Sequence, residues 1–342
     1  MTPRFPARLR LDAFWFCRGR RPSASAPGGE CAKGLSRMNF HSWRRRGAFF
    51  YLKLLLLGAL VFALAYSGKG ASAIAAFAQA NLACLAVALP CGLLMLAIRV
   101  YKWRLLLLRV SEAVTFGEAW RSVMGGMAFG LFTPGRVGEL SRAMFLPDAL
   151  RLPAGGLFVI DRACDLLSIL VVGLAGAASV LPGAAKLWLA AAAIGLGSGA
   201  LLLPRLAPAL PGLLSFSEKP RHLAEQFVAG ARLLRPRDVG ANFLLALALM
   251  GLNVVSLYVL VLAFEPVTFE AALFCLPLIL LTILAPLTPA GLGVREGAAV
   301  LLFQRFGVGL EAAVNATLLL HVINTLAPGV YGLFAARRPD PS

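Results

Sequence analysis

Charged residues are scarce in this chain. They account for 14% of its 342 residues, whereas 59% are hydrophobic, and the mean hydropathy is +0.79. Because a soluble domain carries about 25% charged residues, this composition excludes a soluble globular class. The apolar runs are continuous and do not alternate in segments of about ten residues, which excludes a transmembrane barrel. The sequence therefore predicts an all-α, polytopic helical membrane protein.

The chain also has few residues of the kinds that bind metals or catalyse reactions. Its three histidines, His41, His222 and His321, are too scattered for a ligand cluster. Its six cysteines include no CxxC pair, so they predict neither a disulfide framework nor a metal site. The sequence contains no nucleophile–base constellation and no Walker-type loop. We therefore expect no metal, no cofactor and no enzymatic activity in this chain alone.

The formal net charge of +17 is by itself typical of nucleic-acid-binding proteins, but the positions of the cations along the chain favour another interpretation. Residues 1–46 hold eleven Arg or Lys residues, and most of the others flank apolar runs. That distribution is typical of cytoplasmic loops. It predicts a cytoplasmic N-terminus and no nucleic-acid partner. The flanking cations include Arg99, Lys102, Arg104 and Arg109, then Lys219, Arg221, Arg232, Arg235 and Arg237, then Arg337 and Arg338.

Three regions follow from this pattern. Residues 1–46 form a basic segment that is rich in Pro and Ser, lacks a cleavable signal sequence and is expected to be disordered. Met38, which stands shortly before the first expected span, is expected as an alternative start of the protein. Residues 47–336 form the membrane domain, and residues 337–342 form a short tail.

The apolar runs of the membrane domain predict six to eight transmembrane helices. Six long spans are expected at about 48–66, 77–100, 155–180, 187–203, 239–264 and 312–334. Two further apolar runs, 123–132 and 271–287, are interrupted, and a shorter helix is expected at about 294–306. The total reaches about eight only if both interrupted runs cross the bilayer.

Both interrupted runs end at a Thr-Pro pair and continue into a glycine-containing turn. Proline lacks a backbone N–H and glycine tolerates a positive φ, so each pair breaks a helix at membrane depth. Such a break is tolerated only where it is buried in protein or lines water, and paired breaks in two halves of a chain are typical of transporter binding sites. The recurrence of this pattern in both halves of the chain also suggests an internal duplication. The residues expected to form these broken or re-entrant turns are Pro134, Gly135 and Gly138, then Pro289, Gly291 and Gly293.

Eight charged residues adjoin or interrupt the apolar runs. Each costs roughly 3 kcal/mol near the centre of a bilayer and usually faces a partner or a wet cavity. Four are arginines and four are acids, so the set is neutral if they pair with one another. The eight are Arg136, Glu139, Arg142, Asp161, Arg162, Asp165, Arg295 and Glu296.

The first two clusters of these charged residues have spacings that predict their roles. Arg136, Glu139 and Arg142 recur every three residues and share one helical face, either as a phosphate seat or as part of a cytoplasmic loop. Asp161 and Asp165 lie one helical turn apart. They either form internal salt bridges to Arg136, Arg142 or Arg295, or couple transport to protons or cations.

Two further groups follow the second break. Arg295 begins a half-helix, where its guanidinium can reach an anionic headgroup while Glu296 tunes it or pairs with it. Thr317, His321 and Asn324 share one face of the last span. These three residues either line the same cavity or form hydrogen bonds between helices.

Taken together and in this order, the motifs resemble the membrane domain of lysylphosphatidylglycerol synthases and related stand-alone flippase-like proteins. The resemblance covers about residues 47–336. This chain departs from the family pattern at Asp161, where Glu is usual, and at Ala290, where Gly is usual. The matches lie in three turns and helices, at Pro134, Gly135, Arg136, Gly138, Glu139 and Arg142; at Asp161, Arg162 and Asp165; and at Thr288, Pro289, Gly291, Gly293, Arg295 and Glu296.

The resemblance implies a translocase of the bacterial inner membrane that moves an anionic phospholipid or an isoprenoid-linked lipid between leaflets. Arg136, Arg142 and Arg295 would contact the phosphate, while Glu139, Asp161, Arg162, Asp165 and Glu296 would pair charges or exchange protons. The aminoacyl-transferring domain of the synthases is not expected in this chain, because only a short tail follows Ala335. The alternatives are an accessory subunit of lipid or lipid-linked glycan synthesis, working with a membrane enzyme, and a structural scaffold. A homo-oligomer is also compatible with the sequence.

Overall fold

A computed structural model describes residues 80–180, 230–282 and 293–335, together with a few positions between 183 and 195. The expected span 48–66, most of the span 187–203, the basic segment 1–46 with Met38, and the tail 337–342 lie outside the described residues. Regular structure in the described ranges is entirely helical. This finding confirms the all-α class.

The described helices follow one another as a series of long and broken elements. Three segments are long and apolar enough to cross a bilayer, namely Leu82–Leu107, Pro236–Leu262 and Leu310–Ala335. The last of these is interrupted by a π turn at Val322–Leu326. In chain order, the elements are α1 (Leu82–Leu107), α2 (Phe116–Phe132), a 3₁₀ segment (Pro134–Phe145), α3 (Asp148–Val180), α4 (Pro236–Leu262), α5 (Phe269–Leu281), α6 (Val294–Phe303), α7 (Leu310–His321) and α8 (Ala327–Ala335).

Helix α1 is longer at its C-terminal end than the sequence predicted. It was expected over 77–100, but it continues to Leu107. The physical reason is that Lys102, whose side chain is only 1% exposed, pairs with carboxylates inside the protein. Arg99 is likewise half-buried. Both cations therefore lie against the protein interior, and the cytoplasmic topology stays a prediction.

The first break produces a tight hairpin between α2 and the 3₁₀ segment. The Thr115 hydroxyl and the Glu118 carboxylate cap the start of α2 reciprocally. After Thr133, the chain folds back so closely that a Cβ on Gly126 would lie 2.8 Å from Arg142 Cβ, and one on Gly130 would lie 2.9 Å from Glu139 Cγ. The 17 residues of α2 span about 26 Å. Because this is less than the roughly 30 Å of hydrocarbon, the hairpin has the dimensions of a re-entrant element.

The second predicted break falls between α5 and α6. Helix α5 ends at Leu281, and residues 283–292, which include Pro289 and Gly291, lie outside the described residues. The chain resumes at Gly293, whose φ of 85° is in the left-handed region that favours glycine. Helix α6 then begins at Val294, as the sequence predicted, and a 3₁₀ turn carries it to Phe306.

Small residues bring the helices into close contact. A Cβ on Gly332 of α8 would lie 2.2 Å from the Met124 carbonyl oxygen of α2. A Cβ on Gly176 of α3 would lie 2.6 Å from the Leu273 carbonyl oxygen of α5. Close backbone approach of this kind favours helix association in membranes, where lipid tails are as apolar as leucine side chains.

Gly332→Ala should destabilise the protein by about 1–3 kcal/mol, because the added methyl group overlaps a backbone atom that has no alternative rotamer. Thermal unfolding in detergent should show a lower midpoint. Gly251→Ala in α4 is the matched control, because nothing lies within 4 Å of a Cβ at that position. An unchanged midpoint for Gly332→Ala would contradict this account of α8 packing.

Candidate functional site

A network of paired charges lies between α1, the 3₁₀ segment and α3. It contains three cations and three carboxylates, so the set is neutral as a whole. The charges are held in a medium where an isolated ion would cost several kcal/mol. Its members are Lys102, Glu139, Arg142, Asp161, Arg162 and Asp165.

Asp161 is the centre of this network. Its carboxylate is 2% exposed and bridges two cations from different elements. Its Oδ1 lies 3.0 Å from Lys102 Nζ, and its Oδ2 accepts a hydrogen bond of 2.8 Å from Arg142 Nη2. One carboxylate thus joins α1 and the 3₁₀ segment to α3.

Arg142 is held from several directions. Its guanidinium stacks 4.0 Å above the Trp103 ring and 4.3 Å from the Phe158 ring, a favourable cation–π arrangement. The Trp103 indole donates to Ser122 Oγ at 3.0 Å, and that hydroxyl donates to the Arg142 carbonyl at 2.8 Å. Arg142 is only 3% exposed. It therefore lies in the protein interior, where it positions Asp161.

The remaining pairs extend from the interior to a cavity. Arg162 donates to Glu139, which is 5% exposed, while the Arg162 side chain itself is 34% exposed. Asp165 is 28% exposed and accepts from Lys102. Its other oxygen lies 3.4 Å from Arg162 Nη1. The network is therefore layered. Glu139 and Asp161 lie in the protein interior, and the more exposed Arg162 and Asp165 border a cavity.

The cavity in front of the network has a volume of about 410 Å³. Five of the described residues that line it are charged, and four of those five are cations. One part of the lining is apolar and includes Leu140, Val159, Ile169, Leu276 and Ile279. The charged lining residues are Arg99, Lys102, Arg162, Asp165 and Arg295, and the neutral polar ones include Ser168, Asn253, Thr317, His321 and Asn324.

Arg295 enters the cavity lining from the start of α6. Its Nη1 lies 3.0 Å from His321 Nδ1 of α7. Because a guanidinium can only donate, Nδ1 accepts and the ring proton is on Nε2. Glu296 plays a different part, since its Oε2 accepts from the Gly293 N–H at 2.6 Å and so caps its own helix.

The π turn at Val322–Leu326 presents Asn324 to the cavity. Its Nδ2 donates to Asn253 Oδ1 of α4 at 2.9 Å. The turn lies against α1 at Gly92, where a Cβ would be 2.2 Å from Ile323 Cγ2. Thr317, one turn before His321, donates to the Ala313 carbonyl at 2.8 Å while its side chain borders the cavity. Single-turn π elements frequently occur at functional sites.

The structure separates the site residues that the sequence indicated into two groups. Arg162, Asp165, Arg295, Thr317, His321 and Asn324 line the cavity. Glu139, Arg142 and Asp161 are buried behind it, and Gly138 closes the hairpin by donating to Thr133 Oγ1 at 2.7 Å. Pro134, Gly135 and Arg136 belong to the 3₁₀ segment, but their side chains lie outside what the structure describes.

Sequence reasoning missed Arg99 and Lys102 as site residues. Their positions three residues apart place both on one face of α1. A signal for this was present, because the apolar run resumes with four leucines directly after the cations, at residues 105–108. Charges that flank a membrane are not normally followed by more hydrophobic helix.

The chain is similar to a known protein family. The family model described as the lysylphosphatidylglycerol synthase TM region matches residues 50–332 of the chain. The matched range contains every residue of the charge network and of the cavity lining. No curated protein matches the chain.

Asp161→Asn should destabilise the protein by about 3–5 kcal/mol, because it leaves Lys102 and Arg142 buried without their shared carboxylate. Asp148→Asn on the same helix is the control, since that side chain is 85% exposed and exposed ion pairs contribute little. Thermal unfolding in detergent should give a clearly lower midpoint for Asp161→Asn alone. Equal midpoints for both variants would show that the network does not support the fold.

Proposed function

The chain belongs to the lysylphosphatidylglycerol synthase TM region family, and from this premise we propose that its cavity binds the anionic headgroup of a lipid and moves that lipid between membrane leaflets. The lipid is an anionic phospholipid or an isoprenoid-linked phosphate, and the membrane is the bacterial inner membrane. The family relates the chain to lipid modification or translocation, and the charge of the cavity supports binding of an anionic headgroup.

The observation that carries this proposal is the sign of the charge in the cavity lining. Four of the five charged residues described there are cations, and they come from three different helices. Arginine and lysine are the usual partners of phosphate, because their N–H donors form short, charge-assisted hydrogen bonds. A cationic headgroup would be repelled by the same lining.

The network behind the cavity supports the proposal because it holds the cations in place. Arg162 is fixed by Glu139, and Lys102 by Asp161. A headgroup that binds to cations already held in position costs little additional ordering of side chains. The buried carboxylates thus keep the cations at membrane depth without facing the ligand themselves.

The shape of the cavity suits an amphiphile. Its volume of about 410 Å³ is within the range of roughly 300–1,000 Å³ that is usual for small-ligand sites. The polar part would accept the phosphate and its hydroxyl substituents. The apolar part would contact the first methylenes of the chains, while the rest of each chain remains in the bilayer.

Arg295→Gln should slow leaflet exchange at least tenfold, because removing one charge-assisted contact costs about 1.5–3 kcal/mol. The measurement is dithionite quenching of fluorescent phosphatidylglycerol, phosphatidylethanolamine and an isoprenoid phosphate in proteoliposomes. The wild type should accelerate exchange of the two anionic lipids and leave zwitterionic phosphatidylethanolamine close to the protein-free rate.

Arg305→Gln is the matched control, because Arg305 is exposed in the short turn after α6 and does not line the cavity. It should exchange lipid at the wild-type rate. Exchange that is equally fast for all three lipids, or unaffected by Arg295→Gln, would refute the phosphate site. Lipid binding without any exchange would instead favour an accessory subunit of lipid or lipid-linked glycan synthesis.

A further inference from the structure

Asp165 differs from the other two carboxylates of the charge network. Glu139 and Asp161 are 5% and 2% exposed, and neither lines the cavity. Asp165 is 28% exposed and is the one acid among the described residues of the cavity lining. A carboxylate in a cavity built for an anion is an unfavourable element unless it has a function there.

The partners of Asp165 are the cations that an anionic ligand would use. One of its oxygens accepts from Lys102 Nζ, and the other lies 3.4 Å from Arg162 Nη1. Both cations also line the cavity. Carboxylate and phosphate oxygens accept from the same ammonium and guanidinium donors with the same geometry.

We propose that Asp165 competes with the lipid phosphate for Lys102 and Arg162 and thereby sets both the affinity for the headgroup and its release. This inference rests on the proposed binding of an anionic headgroup. The entering phosphate displaces the Asp165 carboxylate from the two cations, and the return of the carboxylate expels the phosphate. Asp165 is thus a residue that limits affinity so that the lipid is passed on.

The network allows this exchange because neither cation depends on Asp165 alone. Lys102 remains 3.0 Å from Asp161, and Arg162 remains bonded to Glu139. The displaced carboxylate is already partly exposed to the cavity, so its charge is not left in the apolar interior. The same exchange at Asp161 would strand a buried ion, which is strongly unfavourable.

Asp165→Asn keeps the size of the side chain and removes its charge. In detergent solution, fluorescence anisotropy should show that this variant binds phosphatidylglycerol labelled on its acyl chain with a Kd about tenfold lower than the wild type. Binding of the zwitterionic phosphatidylcholine analogue should not change. In proteoliposomes, half-saturation should occur at a lower phosphatidylglycerol content, and the maximal exchange rate should fall severalfold because release is slower.

Asp165→Glu retains the charge and should keep a Kd within about threefold of the wild-type value. Asp148→Asn removes from the same helix an exposed carboxylate that does not line the cavity, and it should have no effect. Asp165→Ser is a second neutral variant, so the test does not depend on the folding of one protein. The same decrease in Kd is expected for it.

The outcomes separate this inference from the proposed function. If the wild type binds phosphatidylglycerol but neither neutral variant binds it more tightly, competition by Asp165 is refuted while the anion site stands. Tighter binding of phosphatidylcholine as well would also refute it, since competition for cations is specific to net anionic headgroups. If the wild type binds no phosphatidylglycerol, the proposed function itself fails.

Discussion

The structure depends on one buried carboxylate that is shared by two cations. Asp161 joins Lys102 of α1 and Arg142 of the 3₁₀ segment to α3. In a bilayer, where few other groups can stabilise a charge, each of these ions tolerates burial only when its partner is in position. The pairing therefore restricts how the three elements can pack. Hydrophobic contacts alone would leave their rotation about the helix axes poorly specified, since lipid and protein interiors are equally apolar.

The break after α2 brings the charged side chains of Glu139 and Arg142 into the protein interior. The 3₁₀ segment has about three residues per turn, so Glu139 and Arg142 lie above one another on one face. That face is held close to α2 by Gly126 and Gly130, which have no side chains to keep the backbones apart. A continuous α-helix over the same residues would direct them at different angles. The Thr-Pro break and the glycines thus have a common effect, which is to place Glu139 and Arg142 in the protein interior.

The layered arrangement gives the cavity a charge that differs from that of the network behind it. The paired set as a whole is neutral, yet the buried acids Glu139 and Asp161 leave a mainly cationic surface in front. The fold can therefore present Lys102 and Arg162 to a ligand while keeping each of them stabilised. Arg295 and His321 extend this surface from α6 and α7. In the proposed function, recognition of an anion and stability of the fold rely on the same ion pairs.

Local features of the sequence were enough to predict the helical membrane class, the first interrupted run, the start of α6 at Val294 and the last span, because hydropathy and Pro or Gly chemistry act over short distances. The shared face of Thr317, His321 and Asn324 also followed from helical spacing. Only the tertiary structure decided that Lys102 turns inward and that Asp161 rather than Asp165 joins Lys102 to Arg142. These outcomes depend on residues 19 to 63 positions apart in the chain. Pairing over such distances is set by how whole helices pack, which no local pattern of residues contains.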